Sequence, residues 1–168
     1  MKKGIVIALT IAVVFLFTGC GIIGEKQIEG TWYQYNPEIL KTSLGPGVMV
    51  NDSDGLEYHV NNIILDTIVT YVTLTFNDGH DIDSKTEVIQ SKTGWYESED
   101  ESKWIQETIT DTAEEGGYWY LENGRLYMNG PLAMTGSSFA VTVIGGTLIL
   151  DNECTGTYIT FSRDNPRD

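Results

Sequence analysis

Alternation of apolar and polar residues with a period of two constrains the fold of this chain more than any other feature. Val72, Leu74 and Phe76 are separated by threonines, and the same rhythm recurs around Phe139 and Phe161. Successive side chains of a β-strand point to opposite faces, so this period indicates strands with one buried face. Many of these positions hold β-branched or aromatic residues, which strands favour. The pattern therefore predicts an all-β domain.

Turn-forming dipeptides separate the alternating runs. Asp78-Gly79, Asn123-Gly124 and Gly145-Gly146 accept positive φ cheaply and favour tight hairpins, while Asn152–Gly156 predicts a longer turn. Consecutive antiparallel strands joined by short turns predict an up-and-down β-barrel, whose closure removes exposed sheet edges. We predict about 8–10 strands, here ten: Gly30–Tyr35, Tyr71–Phe76, Asp81–Ile89, Thr93–Glu97, Lys103–Ile109, Tyr118–Glu122, Arg125–Asn129, Ser138–Ile144, Thr147–Asp151 and Thr157–Ser162.

The segment Asn36–Asn62 interrupts this rhythm. It contains two prolines, several glycines and a turn-forming run near residue 53, and it is long for a connection within one domain. We expect an irregular insertion with a helical turn near Pro37–Thr42, and Asn62–Thr70 as an extended entry into the next strand. Two interpretations of this segment stay open: a binding loop or lid, and a disordered insertion.

The N-terminal segment has the character of a targeting signal. Lys2 and Lys3 precede an apolar run over Gly4–Phe17, which is shorter than the roughly 20 residues of a transmembrane helix. Cys20 follows directly after Gly19, and the segment lacks an A-x-A-like cleavage site. It resembles a prokaryotic lipoprotein signal peptide, which implies that Cys20 is lipidated and becomes the new N-terminus. Two or more acyl chains give stable anchoring.

This resemblance divides the chain into three parts. Residues 1–19 are the expected signal peptide, residues 20–27 a short lipidated tether, and residues 28–168 one domain long enough to bury a core. The expected location is the cell membrane, facing outside the cytoplasm, with inner and outer membranes equally open. With Cys20 lipidated, Cys154 has no partner in the chain for a disulfide, and we expect it to be a small buried residue.

Charge excludes one class of partner. The whole chain has 10 basic and 24 acidic residues, and loss of residues 1–19 removes two lysines and no acid, so the net charge falls from −14 to −16. Phosphate backbones require Lys and Arg to neutralise them. We therefore expect no nucleic-acid partner.

Catalytic and metal-binding motifs are absent from the sequence. No G-x-S-x-G, P-loop, G-x-G-x-x-G or H-E-x-x-H pattern occurs, and His59 and His80 lack further ligands at metal spacing. The acidic clusters at 51–55 and 77–83 have calcium-like spacing but no glutamate at the bidentate position, so turns are the better interpretation. We predict no enzyme activity, no cofactor and no metal site.

Aromatic residues form the more suggestive set. They include Trp95, Trp104 and Trp119, with Tyr118 and Tyr120 expected on the face opposite Trp119. Core and cross-strand packing is the simplest interpretation. A ligand cavity or an exposed carbohydrate-stacking face is the alternative.

The two ends of the predicted domain carry a family resemblance. Gly30-Thr31-Trp32 opens the first strand, and Thr160-Phe161-Ser162-Arg163 closes the last. This G-x-W start with a late arginine resembles the lipocalin-like (calycin) barrels. The resemblance implies that Trp32 closes one end of the barrel, that Arg163 packs over its ring in a cation–π contact, and that some such barrels hold a small apolar molecule.

Two functions follow from these expectations. The first is a membrane-anchored lipoprotein whose barrel binds a small hydrophobic ligand or contacts an envelope protein. The alternative is a non-enzymatic structural or interaction protein of the envelope with a solid barrel core. An open apolar interior favours ligand binding, and a packed interior favours interaction.

Overall fold

A computed structural model describes residues 23–130, 137–153 and 155–168. The described residues form one short helix and eight strands, and most neighbouring strands are joined by connections of two to four residues. Their bounds are α1 Glu25–Ile28, β1 Gly30–Val50, β2 Glu57–Phe76, β3 Asp81–Glu97, β4 Ser102–Glu122, β5 Arg125–Asn129, β6 Ser137–Ile144, β7 Thr147–Asn152 and β8 Thr157–Ser162.

The strands form one closed antiparallel barrel. Each strand pairs with the next along the chain, and Tyr33 of β1 pairs with Ser162 of β8 to complete the circuit. This arrangement confirms the predicted all-β fold with up-and-down topology. The turns lie where the sequence predicts them, because Asp78-Gly79, Asn123-Gly124 and Gly145-Gly146 all connect consecutive strands.

The ten predicted strands correspond to eight real ones. The runs Asp81–Ile89 and Thr93–Glu97 belong to the single strand β3, and the runs Lys103–Ile109 and Tyr118–Glu122 belong to β4. The stretches between them alternate poorly, because few of their side chains are buried on either face. A strand without a buried face has no apolar period to reveal it.

The prediction of an irregular insertion at Asn36–Asn62 is wrong. β1 continues through it to Val50 and pairs with β2 along its length, and Pro37–Thr42 is strand rather than helical turn. Register shifts interrupt the ladder between Ile39 and Thr42 and again on either side of Gly45. Such bulges account for the missing alternation, since each extra residue reverses the face on which later side chains lie.

The eight strands are unequal in length, and this gives the molecule two parts. Strands β5–β8 have five to eight residues, whereas β1–β4 have 17 to 21. We call the projecting part of β1–β4, residues 35–71 and 87–112, the arm, and the remainder the body. Tyr35, Tyr71, Glu87 and Thr112 pair in one row that marks the boundary.

Each part has its own hydrophobic core. The body core contains Trp32, Phe76, Trp119, Phe139 and Phe161, all at most 1% exposed, together with aliphatic side chains from the other strands. The tip core lies at the far end of the arm and consists of Met49, Val60 and Ile105, with Tyr58, Ile63 and Tyr96 packed against them. The stretch of arm between the two cores has no buried cluster among the described residues.

Candidate functional site

Trp32 and Arg163 lie together at the end of the barrel where the described chain begins. Trp32 is buried, and its indole Nε1 donates to the carbonyl of Ile28 at 2.6 Å. The guanidinium carbon of Arg163 lies 3.7 Å from the centroid of the Trp32 ring, a cation–π contact. Arg163 Nη2 also donates to the carbonyl of Glu29 at 2.5 Å. Burial lowers the pKa of Arg163.

This end of the barrel is closed by a short cap. The helix α1 places Ile28 in the body core, and Ile23 packs against the same core. Arg163 holds the cap through the carbonyls of Gln27 and Ile28 as well as Glu29. The cation and the tryptophan therefore have a structural role at this end.

The barrel interior is filled by side chains. Trp32, Leu74, Leu126, Phe139 and Leu148 are fully buried against one another in the body core. Two depressions of about 400 and 380 Å³ occur on the body, one lined by residues such as Thr73 and Glu114 and the other beside the β1–β8 seam. Both are open surface features, and most of the residues that line them are of polar types.

The arm carries most of the exposed large hydrophobic side chains. Trp104 on its outer face is 62% exposed and contacts Trp95 edge to face, with ring centroids 5.3 Å apart. Exposed apolar side chains that pack together, as Trp95 and Trp104 do, commonly mark an interaction site. The others on the arm are Tyr35, Ile39, Leu40, Leu44, Val48, Val50 and Leu56.

A polar network organises the tip. The backbone N–H of Leu56 donates to Asp54 Oδ1 at 3.0 Å, the Tyr58 hydroxyl donates to Asp54 Oδ2 at 2.9 Å, and Lys103 lies beside both. The hydrogen bond from Leu56, with further bonds from side chains, lowers the pKa of Asp54 to about 2 although burial acts in the opposite direction. The hydrogen bond with Tyr58 contributes most to raising the pKa of Lys103.

The tip is also where β1 meets β4. Asp52, in the turn between β1 and β2, donates its N–H to the carbonyl of Gln106 at 2.8 Å. The Asp52 carboxylate accepts from both the N–H and the hydroxyl of Thr108, at 3.0 and 2.9 Å. The acidic cluster at 51–55 thus serves as a turn that fastens the first hairpin of the arm to the second, as the turn interpretation predicts.

Two facing bulges lie partway along the arm. Lys41 adopts a positive φ of 51° at the bulge in β1, and it forms an ion pair with Asp66 at the opposite bulge in β2. Asp66 also accepts from the Thr93 hydroxyl at 2.7 Å. Burial opposes ionisation of Asp66, but the bonds from Lys41 and Thr93 outweigh it and lower its pKa.

The remaining candidate residues do not converge. His59 is exposed on β2, and His80 lies in the β2–β3 turn with its ring edge to face against Trp119. Within the described parts of the chain, no group of three or more His, Cys, Asp and Glu side chains is placed to hold a metal ion. Cys20 and Cys154 lie outside the described residues.

The aromatic residues divide between core and surface. Trp119 is buried, whereas Tyr118 and Tyr120 are exposed on the other face of β4, as the alternation predicts. Tyr120 stacks on Tyr127 with centroids 4.8 Å apart, a cross-strand pair. Trp95 and Trp104 belong to the exposed surface of the arm.

Sequence reasoning missed the arm itself. Its residues were divided among an insertion and separate short strands, although β2, β3 and β4 continue through it. One available signal was the β-branched composition of residues 62–73 and 105–112, which favours strands even without strict alternation.

Comparisons with known proteins add no relatives: no family model, curated protein or solved structure matches the chain. Among the described helices, none has the length and apolar character needed to cross a bilayer.

Proposed function

We propose that this protein is a membrane-anchored lipoprotein of the cell envelope, with a lipocalin-like barrel, that acts as a non-enzymatic interaction module. The barrel is the support, and the arm is the surface that contacts a partner protein. The observation that carries this proposal is the packed body core. Among the described residues, Trp32, Phe139 and the other core side chains are buried in one cluster, whereas a ligand-binding barrel keeps an open apolar interior.

The direction of the arm supports the same function. The described chain begins at Ile23, which packs against the body core three residues after the expected lipid-bearing Cys20. β1 leaves this end at Gly30 and reaches the tip at Val50, a path of roughly 60–70 Å at about 3.3 Å per residue. A lipid on Cys20 would hold the body at the membrane and direct the arm away from it.

Anchoring is tested by replacing the expected lipid-bearing cysteine. In a Cys20→Ser variant we expect the protein to leave the membrane fraction or to remain unprocessed, because no acyl chains are attached. Mass spectrometry of the N-terminal peptide gives the second measurement. Cys20→Ser protein that stays membrane-bound at its mature mass would contradict the anchor.

Interaction through the arm is tested by cross-linking in living cells. A photoreactive amino acid replaces Trp104 on the arm or, as a matched exposed aromatic control, Tyr158 on the body, which is 70% exposed. We expect one discrete, stoichiometric protein adduct from position 104 and none from position 158. Adducts from Tyr158 alone, or from neither position, would contradict an arm-mediated interaction.

A titration with hydrophobic probes distinguishes the proposed function from the ligand-binding alternative. Tryptophan fluorescence of the purified protein is followed during titration with fatty acids and other hydrophobic probes. We expect no saturable change, because Trp32 and Trp119 are already surrounded by side chains of the body core. Saturable binding that is lost when a body-core side chain is enlarged would favour the small-ligand function instead.

A further inference from the structure

Between the tip and the body, one edge of β4 has no strand partner among the described residues. β4 pairs with β3 from Ser102 to Tyr118, but with β5 only from Tyr118 onward. At the tip, Asp52 occupies the same edge through Gln106 and Thr108. Between Thr108 and Tyr118, no described residue pairs with it.

The backbone groups on this edge can be assigned. In an antiparallel strand, successive residues direct their N–H and C=O groups to alternate neighbours. Gln106 and Thr108 bond to Asp52, on the side away from β3, and the β3–β4 register continues without a shift. Thr110, Thr112 and Glu114 therefore direct their N–H and C=O groups to the unpaired side, and we call this stretch the β4 edge.

Edge strands are normally protected against added strands, and the other edge of the arm shows this protection. β1 contains Pro37, Pro46 and register shifts near Lys41 and Gly45, all of which discourage regular pairing. The β4 edge has no proline and no bulge. It is the regular, pairing-competent edge of the two.

The charge around the β4 edge specifies the partner. From Trp104 to Gly124 the chain has no lysine or arginine. Asp111, Glu114 and Glu115 are exposed there, and Glu114 has one distant contact with Lys85 at 3.9 Å. A second copy of β4 would place a strand with the same acidic residues beside these acids, and like charges close to one another destabilise a strand pair. A basic strand would instead place cations beside these acids.

We propose that the β4 edge binds an extended, lysine- or arginine-rich segment of a partner protein as an added β-strand. Backbone bonds to Thr110, Thr112 and Glu114 would hold the segment, and the neighbouring acids would select its charge. This inference rests on the proposed interaction function and names its site and the chemistry of the partner.

The first test uses synthetic peptides and the full lipidated protein in detergent. The probe is a nine-residue peptide of alternating lysine and valine, compared with glutamate–valine and lysine–proline versions. We expect saturable binding of the lysine–valine peptide by fluorescence anisotropy, at least tenfold weaker binding of the other two, and slower hydrogen exchange at Thr110, Thr112 and Glu114. Equal binding of the lysine–proline peptide, or no binding at all, would overturn the proposal.

Variants localise the binding. Thr112→Pro removes an N–H that faces the unpaired side and not β3, so we expect at least tenfold weaker binding with an unchanged melting temperature. If Thr112→Pro lowers the melting temperature, Glu115→Lys is the deciding variant. Its control is Asp100→Lys, which changes the net charge by the same amount at another exposed position. We expect Glu115→Lys to weaken peptide binding severalfold more than Asp100→Lys does. Equal effects of the two lysine variants would overturn the assigned site.

Two further outcomes separate the explanations. Concentration-dependent dimers that Thr112→Pro abolishes would show that a second copy occupies the edge, which overturns the basic partner. A cross-link from Trp104 with no peptide bound at the β4 edge would overturn this inference while leaving the proposed function of the arm intact. If neither the Trp104 cross-link nor peptide binding at the β4 edge is observed, the proposed function and this inference are both rejected.

Discussion

At the residue scale, Arg163 performs several tasks with one side chain. Its guanidinium covers the Trp32 ring and donates to carbonyls of the cap, including that of Glu29, and Nη1 donates to the carbonyl of Thr31 in β1 at 3.2 Å. The guanidinium also lies so close to Gly30 that a side chain there would collide with it: an added Cβ would lie 2.5 Å from Arg163 Nη1. The φ of +99° at Gly30 is a second reason for glycine at this position. The planar fork of arginine permits this combination, and lysine cannot reproduce it.

Replacing Arg163 tests this closure. We expect Arg163→Lys to lower the free energy of unfolding by about 2 kcal/mol, because the stacking and most of the carbonyl bonds are lost. Chemical denaturation followed by tryptophan fluorescence measures the change. Arg167→Lys is the control, since Arg167 stacks on Tyr71 at the surface and not on the cap. Equal, small effects of both substitutions would show that Arg163 does not hold the barrel end.

The ionisation of Asp54 gives a pH-dependent prediction. Its folded pKa of about 2 is below the ordinary value of 3.8, so the ionised carboxylate stabilises the tip at pH above 4. That contribution is lost as the pH falls from about 4 through 2. NMR titration of the carboxyl should give a midpoint near 2, raised in Tyr58→Phe. A midpoint near 4 in the unmodified protein would contradict the network.

At the element scale, the two hairpins of the arm differ in regularity. β1 and β2 contain bulges at Lys41, Gly45 and Asp66, whereas β3 and β4 pair without a shift. Bulges bend a strand and increase its twist. The hydrogen bond from Asp52 to Gln106 joins the two hairpins at the tip, where side chains of both form the tip core.

Gly94 lies against side chains of that tip core. An added Cβ would lie 2.7 Å from Met49 Sδ and 3.0 Å from Val60 Cγ2. We expect Gly94→Ala to destabilise the arm by about 1–3 kcal/mol through overpacking. Faster hydrogen exchange at the Ile105 amide would measure this loss of stability. Gly79→Ala, whose added Cβ meets only Asp81 at 3.7 Å, is the control and should leave the Ile105 amide unaffected.

At the scale of the whole molecule, two cores of unequal size share four continuous strands. The body core draws on all eight strands, whereas the tip core has three fully buried members. Local stability follows buried apolar contacts. We therefore expect the arm to be the less stable part of the molecule.

Native-state hydrogen exchange should separate the two parts. We expect arm amides such as those of Val60 and Ile105 to exchange through a partial opening of lower free energy than the global unfolding that exposes Leu74 and Phe161. Titration with low denaturant would resolve the two sets. One common free energy for all four amides would show that arm and body unfold as a single unit.

Local sequence information was sufficient for the body and insufficient for the arm. The alternation around Leu74, Phe139 and Phe161, together with the glycine turns, predicts the strands and topology of the body. This succeeds because each body strand has one face in the core and one in solvent. Trp32 and Arg163 were paired from a resemblance, and the structure places them in contact.

The arm depended on contacts between distant residues. Its middle has no buried cluster among the described residues, and bulges at Lys41 and Asp66 displace the alternation, so no local period marks it as strand. The joining of Asp52 to Thr108, 56 residues apart, and the unpaired stretch at Thr112 follow from strand register alone. Periodicity reports which faces are buried, whereas register and strand edges arise only when the whole sheet is assembled.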